Sequence, residues 1–235
     1  MQKPLNISSL KLKDPRWKIE TQKKVENILN LGIAQFEGVG QFDMPMLDPV
    51  DRVPDVNKWI GFNYVKSDHD QAGKGVHFFI DDYQFERIWN RPETYIKLLQ
   101  RYGAVMTPDF STYGDMPLVL QMYNHYRKQW IGKLMQEYGI TVIPTVRCST
   151  DPRSYDFFLD GIPKHSIIAM SSMWAQQYKT EATREYNYVK YKLEPKAIYI
   201  YGSGKHLPIK KEDNVIFIES FKMNRLNKIK ANKHV

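Results

Sequence analysis

The stretch VHFFIDDYQFERIWNRPETYIKLLQRYGAVMTPDF at residues 76–110 decides the predicted fold, because it reads as strand, helix and strand in succession. It opens with an apolar run and closes with a second one from residue 104. Between them, apolar side chains recur at helical spacing, as at Phe85, Ile88 and Trp89. The same alternation continues to residue 219 and predicts an α/β protein with a mostly parallel sheet.

Six apolar runs are predicted to be strands of this sheet: residues 76–82, 104–110, 141–147, 166–172, 197–203 and 215–220. Residues 33–39 and 59–65 are candidates for two more, which would raise the count to the eight strands of a TIM-like barrel, regular or irregular. We favour such a barrel over an open doubly wound sheet. The last strand is expected to be a sheet edge or an antiparallel addition, because residues 203–214 are too few for a full crossover helix.

A long helix is predicted between the second and third of these strands. Asp115 is its expected N-cap, Pro117 lies in its first turn, and Gly139 ends it. The side chains expected to face the core follow the 3.6-residue period: Val119, Met122, Tyr123, Tyr126, Trp130 and Leu134.

The whole chain has a formal net charge of +8, and the positive charge is concentrated at its two ends. Residues 1–24 and residues 222–235 each carry an excess of five positive charges, so the body is close to neutral. We therefore predict a single α/β domain over residues 1–235, with a basic N-terminal extension at 1–31 and a basic tail at 222–235. Such ends can bind nucleic acid through its phosphates. The alternative is a solvated tail that only aids solubility.

Composition also excludes several classes of protein. One cysteine rules out an internal disulfide and a cysteine-based zinc cluster, and it fits a reducing compartment. No apolar run approaches the roughly 18 residues that span a bilayer. The six histidines form no His-x-His or His-x-x-x-His pair, which argues against a zincin and against a nicking site with paired histidines. We expect a soluble, cytoplasmic protein without membrane contact.

Polar residues close the predicted strands. In chain order these are Asp81 and Asp82, Asp109 and Ser111, Arg147, Ser171, and the turn Gly202-Ser203-Gly204-Lys205. Parallel strands carry their C-terminal ends along one edge, where α/β proteins bind ligands. These side chains are therefore expected to share one rim and one polar pocket.

Two aspartates and one arginine are the candidate catalytic residues. Asp81 and Asp109 could act as acid and base or bind Mg²⁺, and Arg147 could hold a phosphate or carboxylate group. Successive residues of a strand point to opposite faces, so at most one of Asp81 and Asp82 is expected to face the site. The structural alternative is a helix cap or Asx turn for the aspartates, and an ion pair with Asp109 or Asp160 for Arg147.

The remaining candidates are binding residues: Asp82, Ser111, Ser171, Gly202, Ser203, Gly204 and Lys205. The turn at 201–205 follows a strand and looks like a phosphate-binding turn. It is not a Walker A loop, because Tyr199 stands where the first glycine is required and His206 where Ser or Thr is required. An ordinary turn is the alternative.

Four phrases carry a resemblance to a known family: HFFIDDYQFERIWNRPETY at 77–95, TPDFSTYGDMPLVLQMYNHYR at 107–127, YDFFLDGIPKHS at 155–166 and IYIYGS at 198–203. Together they resemble a domain of unknown function encoded by bacteriophages, plasmids and integrated elements, mainly of Gram-positive bacteria. The resemblance covers roughly residues 75–220. It implies a mobile-element setting and a bacterial host cell, and it assigns no catalytic role.

Two classes of function follow from the sequence. The first is an enzyme with a polar pocket at the strand ends, acting on a phosphate-bearing substrate such as nucleic acid or a nucleotide. The second is a non-catalytic accessory factor of a mobile element that binds nucleic acid or protein through its basic ends.

Overall fold

The computed structural model describes residues 27–220 and divides the chain into two compact units, 1–37 and 38–235. In the first unit, Asn30 adopts a left-handed backbone (φ 59°), and its carbonyl accepts from the Ile33 N–H at 2.9 Å. Most of the predicted N-terminal extension at 1–31 and the whole tail at 222–235 lie outside the described residues. Their domain organisation stays a prediction.

The second unit contains a short hairpin and two parallel sheets. The hairpin pairs β1 (Gly38–Val39) with β2 (Met44–Pro45), so the predicted strand at 33–39 is wrong except for its last two residues. The first parallel sheet consists, in spatial order, of β3 (Lys58–Gly61), β4 (Lys74–His77), β5 (Ala104–Met106) and β6 (Val142–Ile143). The second consists of β7 (Ile167–Ser171), β8 (Ala197–Tyr201) and β9 (Val215–Ile218). The predicted α/β class with parallel sheets is confirmed.

A parallel bridge between Thr145 and Ala169 joins the end of β6 to β7. The strands therefore follow one another in chain order without the reversal that defines a doubly wound sheet. Among the described residues no ladder joins β9 back to β3, so the closed TIM-like barrel is not confirmed. The last strand is an edge strand, as expected, and it is parallel to β8.

The helices are α1 (Arg87–Asn90), α2 (Pro92–Leu99), α3 (Leu118–Glu137) and α4 (Lys179–Leu193). The N-cap of α3 is Pro117, and no side chain forms a capping hydrogen bond there. The prediction that Asp115 caps this helix is therefore wrong. Between residues 27 and 220, no helix combines the length and the apolar character of a membrane span.

Side chains of β8 alternate between two apolar layers, as the pleat of a strand requires. Ala197, Tyr199 and Tyr201 belong to an inner core that both sheets share. Ile198 and Ile200 face the other way and belong to an outer core with buried side chains of α4. The sheets are therefore covered on the outside by helices, and the C-terminal strand ends remain open at one rim.

The first half of α3 buries a polar face beside part of the predicted apolar stripe. Val119 is 66% exposed, whereas Gln121, Asn124, His125 and Lys128 are buried at helical spacing. The stripe is confirmed in its second half by the buried Trp130 and Leu134, and in part in its first half, where Met122 and Tyr123 contact the core. The buried polar face has a physical reason: it packs beside the polar strand ends, where Asn124 donates to the Ser111 carbonyl at 2.6 Å.

A buried pair of hydroxyl groups holds the ends of β5 and β6 together. The Oγ1 atoms of Thr107 and Thr145 lie 2.9 Å apart, and the Thr145 N–H donates to Thr107 Oγ1 at 2.8 Å. Both residues are fully buried. Asp109 and Arg147 each follow their threonine by two residues. The pair therefore fixes the positions of Asp109 and Arg147 relative to each other along the strand direction.

Thr107→Val should destabilise the protein by about 1–3 kcal/mol, because it leaves the buried Thr145 N–H without its acceptor. Thr145→Val is the matched control: it removes one hydroxyl but keeps the bond from its own N–H to Thr107, so it should cost less. Urea denaturation of both variants measures the free energy of unfolding. A loss in Thr145→Val that equals or exceeds the loss in Thr107→Val would contradict this assignment.

Candidate functional site

The C-terminal strand ends surround a cleft of about 260 Å³. The side chains around it come from the ends of β4 to β8 and the loops that follow: Phe79, Ile80, Asp81, Asp82, Asp109, Phe110, Ser111, Thr112, Tyr113, Arg147, Ser171, Met173 and Tyr201. The structure thus brings together six predicted site residues: Asp81, Asp82, Asp109, Ser111, Arg147 and Ser171. The other four predicted residues, 202–205, do not line the cleft.

The turn at 202–205 is held by its own hydrogen bonds. The Gly202 N–H donates to the Ile218 carbonyl at 2.9 Å, and the Gly204 N–H donates to Ser172 Oγ at 3.1 Å. Both glycines have positive φ, 106° and 65°, which favours glycine at these positions. Because these amides already have acceptors, the geometry favours an ordinary turn over a phosphate-binding one.

Asp81 and Asp82 both line the cleft, so the expectation that at most one would face it is wrong. The reason is that β4 ends at His77, before the aspartates, and strand alternation does not apply in the following loop. Asp82 accepts from both the N–H and the hydroxyl of Ser111, at 3.0 and 2.9 Å, and so ties two strand-end loops together. Asp81 is exposed and accepts from the Gln84 side chain at 3.3 Å. Neither side chain caps the short 3₁₀ turn that follows.

Asp109 is partly buried, and its carboxylate has no hydrogen bond or ion pair with any residue from 27 to 220. The Asx-turn alternative therefore has no support in the geometry. Burial raises the pKa of Asp109. The positive charges of Lys128 and Arg147 oppose that rise, and the negative charge of Asp82 adds to it. Asp109 thus combines a perturbed pKa with an unused carboxylate in a cleft, which is typical of functional acids and bases.

Arg147 is held by stacking and not by an ion pair. Its guanidinium carbon lies 4.3 Å from the ring centroid of Trp174. Within the described part of the chain it forms no ion pair with Asp109, Asp160 or another acid. Stacking occupies a face of the guanidinium and leaves its N–H edges available to a planar anion.

Two uncharged groups beside these residues also lack partners. The Thr112 hydroxyl, which belongs to a cleft-lining residue, and the indole Nε1 of Trp174 are buried without a hydrogen bond. Buried polar groups are usually paired, so each exception calls for a reason. Here both groups can donate: Trp174 is stacked with Arg147, and Thr112 lines the same cleft as Asp109.

Two charged residues behind the cleft were missed by the sequence analysis. Lys128 on α3 and Glu185 on α4 are 3% and 1% exposed. Burial lowers the pKa of Lys128 to about 8, although Asp109 and Glu185 both favour its charge. With Asp109 and Arg147 they form what we call the charge cluster. The sequence did hold a signal for Lys128: polar residues recur at helical spacing along α3 and could have indicated a buried polar face.

Glu185 connects the charge cluster to the backbone, since its carboxylate accepts from the Cys148 N–H. Burial raises the pKa of Glu185 to about 7, against the effects of Arg147 and of this hydrogen bond. No sequence signal marked Glu185, because a lone acid in a helix is usually solvated. Its partner amide follows Arg147 directly, so Glu185 anchors the segment that carries the arginine.

Metal binding has no direct support. Among residues 27–220, no group of three or more His, Cys, Asp or Glu side chains is arranged to hold a metal ion. Binding of Mg²⁺ by Asp81 and Asp109 stays a prediction.

The contribution of Glu185 to stability should fall between about pH 4.5 and 7, opposed over part of this range by the buried His77 and His125, whose pKa values are lowered. The pKa of Glu185 is raised in the folded state, so over this range the unfolded chain loses a proton that the folded chain retains. Glu185→Gln should remove this part of the pH dependence, while the same change at the exposed Glu194 should leave it. Thermal unfolding at a series of pH values tests this. Parallel curves for wild type and Glu185→Gln would refute it.

Comparison with known proteins confirms and extends the family resemblance. Residues 36–222 match the family described as Domain of unknown function (DUF4417). The chain is 38% identical over 164 residues to the Gene 1 protein of Mycobacterium phage L5, covering 68% of this chain and 69% of that one. It is 37% identical over 164 residues to the Gene 1 protein of Mycobacterium phage D29, covering 68% of this chain and 59% of that protein. No solved structure matches.

Proposed function

We propose that this chain, which belongs to the DUF4417 family, is an enzyme whose cleft acts on a phosphate-bearing substrate. One observation carries the proposal: Arg147 and Asp109 line the same cleft, and neither side chain forms a hydrogen bond or a close ion pair within the described residues. Charged groups that are partly withdrawn from water without partners are costly. A ligand that pairs with both would offset that cost.

Arg147 is assigned to bind the phosphate. Its guanidinium is stacked on Trp174, so its orientation is set before a ligand arrives. Preorganisation of this kind reduces the entropy lost on binding. The planar edge of N–H groups matches two phosphate oxygens, which a lysine could not do.

Asp109 is assigned as the acid–base group. Its raised pKa makes the carboxylate a better proton acceptor than an exposed aspartate. Lys128, behind the cleft, favours the charged form and keeps the carboxylate available to a substrate hydroxyl. Arg147 is the positively charged side chain in a lining that also holds Asp81 and Asp82, so binding of an anion there depends on it.

The site also suggests a finer description of the fold, an open barrel-like wall made by both sheets. Support comes from the unreversed strand order and from the bridge between Thr145 and Ala169. The ring centroids of Trp59 in β3 and Tyr199 in β8 lie 5.2 Å apart, across the inner core. In such a wall all strand ends converge on one mouth, as in TIM-like enzymes.

The basic ends are assigned to nucleic acid. Their ten excess positive charges would add affinity that does not depend on sequence but does depend on salt. We place this activity in the cytoplasm of a bacterial host, in keeping with relatives from mycobacteriophages. A non-catalytic accessory role through these ends is the alternative function.

Arg147→Met should weaken binding of inorganic phosphate and ribose 5-phosphate by about tenfold or more, since a charge-assisted hydrogen bond is lost. Arg101→Met is the matched control, because Arg101 is exposed and does not line the cleft. Isothermal titration calorimetry on the full-length chain measures both. Equal phosphate affinity in the wild type and Arg147→Met, or no phosphate binding by the wild type, would overturn the assignment.

Asp109→Asn should retain the fold within about 1 kcal/mol and lose turnover by roughly 100-fold or more, the usual contribution of a general acid or base. The substrate is first sought by incubating the protein with labelled DNA, RNA and nucleotides, with and without Mg²⁺ or Mn²⁺. Asp55→Asn, an exposed aspartate outside the cleft, is the control. Wild-type turnover in Asp109→Asn would reject the acid–base role.

Replacing the five basic residues of 222–235 with glutamine should reduce nucleic-acid affinity and flatten its dependence on salt, with little effect on folding. A salt titration of binding to labelled DNA measures both quantities. The variant keeps the chain length, so a loss cannot come from shortening. An unchanged salt slope would exclude the tail as the binding element.

A further inference from the structure

The cleft has two large apolar side chains at its mouth that are left uncovered. Tyr113, in the loop between β5 and α3, is 60% exposed, and Met173, in the loop between β7 and α4, is 49% exposed. Within the described residues the Tyr113 ring meets no other aromatic ring, and its hydroxyl has no hydrogen bond. Exposed apolar groups at the wall of a polar cleft mark a place where a ligand presents apolar surface.

The two side chains flank Arg147 in the order of the strands. Tyr113 lies in the loop after β5 and Met173 in the loop after β7, and these are the strands on either side of β6, which leads to Arg147. Both line the same cleft as Arg147. An aromatic ring and a thioether are groups against which the flat face of a base can pack.

The floor of the cleft is aromatic as well. The rings of Phe79 and Tyr201 are stacked, with centroids 5.0 Å apart and planes at 25°. His77 lies against Tyr201 with its centroid at 4.8 Å, and burial lowers the pKa of His77 to about 4, so it is neutral. The cleft therefore offers aromatic and thioether surface on one side and a guanidinium on the other.

We propose that the cleft binds a nucleotide, with the base between Tyr113 and Met173 and the phosphate on Arg147. This rests on the proposed function and deepens it, since it names a base in addition to the phosphate. The cleft volume of about 260 Å³ lies just below the roughly 300–1,000 Å³ of sites for drug-sized ligands, which limits the enclosed part of a ligand to one nucleotide unit at most. A free nucleotide and the terminal nucleotide of a single strand share this chemistry.

The test compares ligands with and without a base. AMP should bind wild-type protein at least about fivefold more tightly than ribose 5-phosphate, because stacking of one base on an aromatic side chain contributes about 1–3 kcal/mol. Tyr113→Ala should remove this advantage and leave the affinity for ribose 5-phosphate unchanged. Tyr113→Phe keeps the ring and should retain it. Calorimetry on the full-length chain supplies all three comparisons.

The outcomes separate this inference from the proposed function. Equal, Arg147-dependent binding of AMP and ribose 5-phosphate would overturn the base site and leave the phosphate site standing. A base advantage that survives Tyr113→Ala would also overturn it. Absence of binding by any phosphate compound would overturn both. A further arm with a short 5′-phosphorylated single strand identifies the source: tighter, Tyr113-dependent binding of the strand than of AMP assigns the polymer end, and the reverse assigns the free nucleotide.

Discussion

The contact between the hydroxyl groups of Thr107 and Thr145 is the constraint on which the site depends. It lies between two parallel strands, where water is excluded and an unpaired oxygen would be costly. Because each threonine is followed two residues later by a charged side chain, Asp109 and Arg147 leave the sheet at matched positions. The backbone ladder is short here, because β6 extends only over Val142–Ile143. The side-chain hydrogen bonds therefore help to fix the register that a longer ladder would fix by itself.

The charge cluster shows how a small cleft can be electrostatically prepared. Its four members come from two strand ends and two helices, and Lys128 and Glu185 are almost fully buried. Burial disfavours the charges of Asp109, Lys128 and Glu185, while the opposite charges beside them restore part of the lost free energy. The pKa of Asp109 is raised and that of Lys128 is lowered as a result. A ligand phosphate would enter a region whose donors are already oriented and poorly solvated, where hydrogen bonds to charge are strongest.

Several parts of the fold and of the candidate site were accessible from sequence because they depend on local pattern. The apolar runs located β4 to β9 to within a few residues, and the polar residues after them identified six side chains of the cleft. The turn at 202–205 was accessible as a turn but not as a binding element, since its amides turned out to have acceptors from Ile218 and Ser172. Periodicity on α3 predicted one burial wrongly: Val119 fits the apolar period and yet faces solvent. Helical spacing identifies two candidate faces, and only the neighbouring elements decide which one is buried.

The sequence by itself determined the α/β class, the direction in which the strand ends face and the aspartates and arginine that gather there, because each follows from the alternation of apolar and polar residues along the chain. Only the tertiary structure decided that Asp82 accepts a hydrogen bond from Ser111 and that Arg147 stacks on Trp174. It also decided that Asp109 has no hydrogen-bonding partner among the described residues. It alone revealed Lys128 and Glu185 as buried charges. The physical reason is that partner choice and desolvation depend on which elements pack together, and residues far apart in sequence supply both.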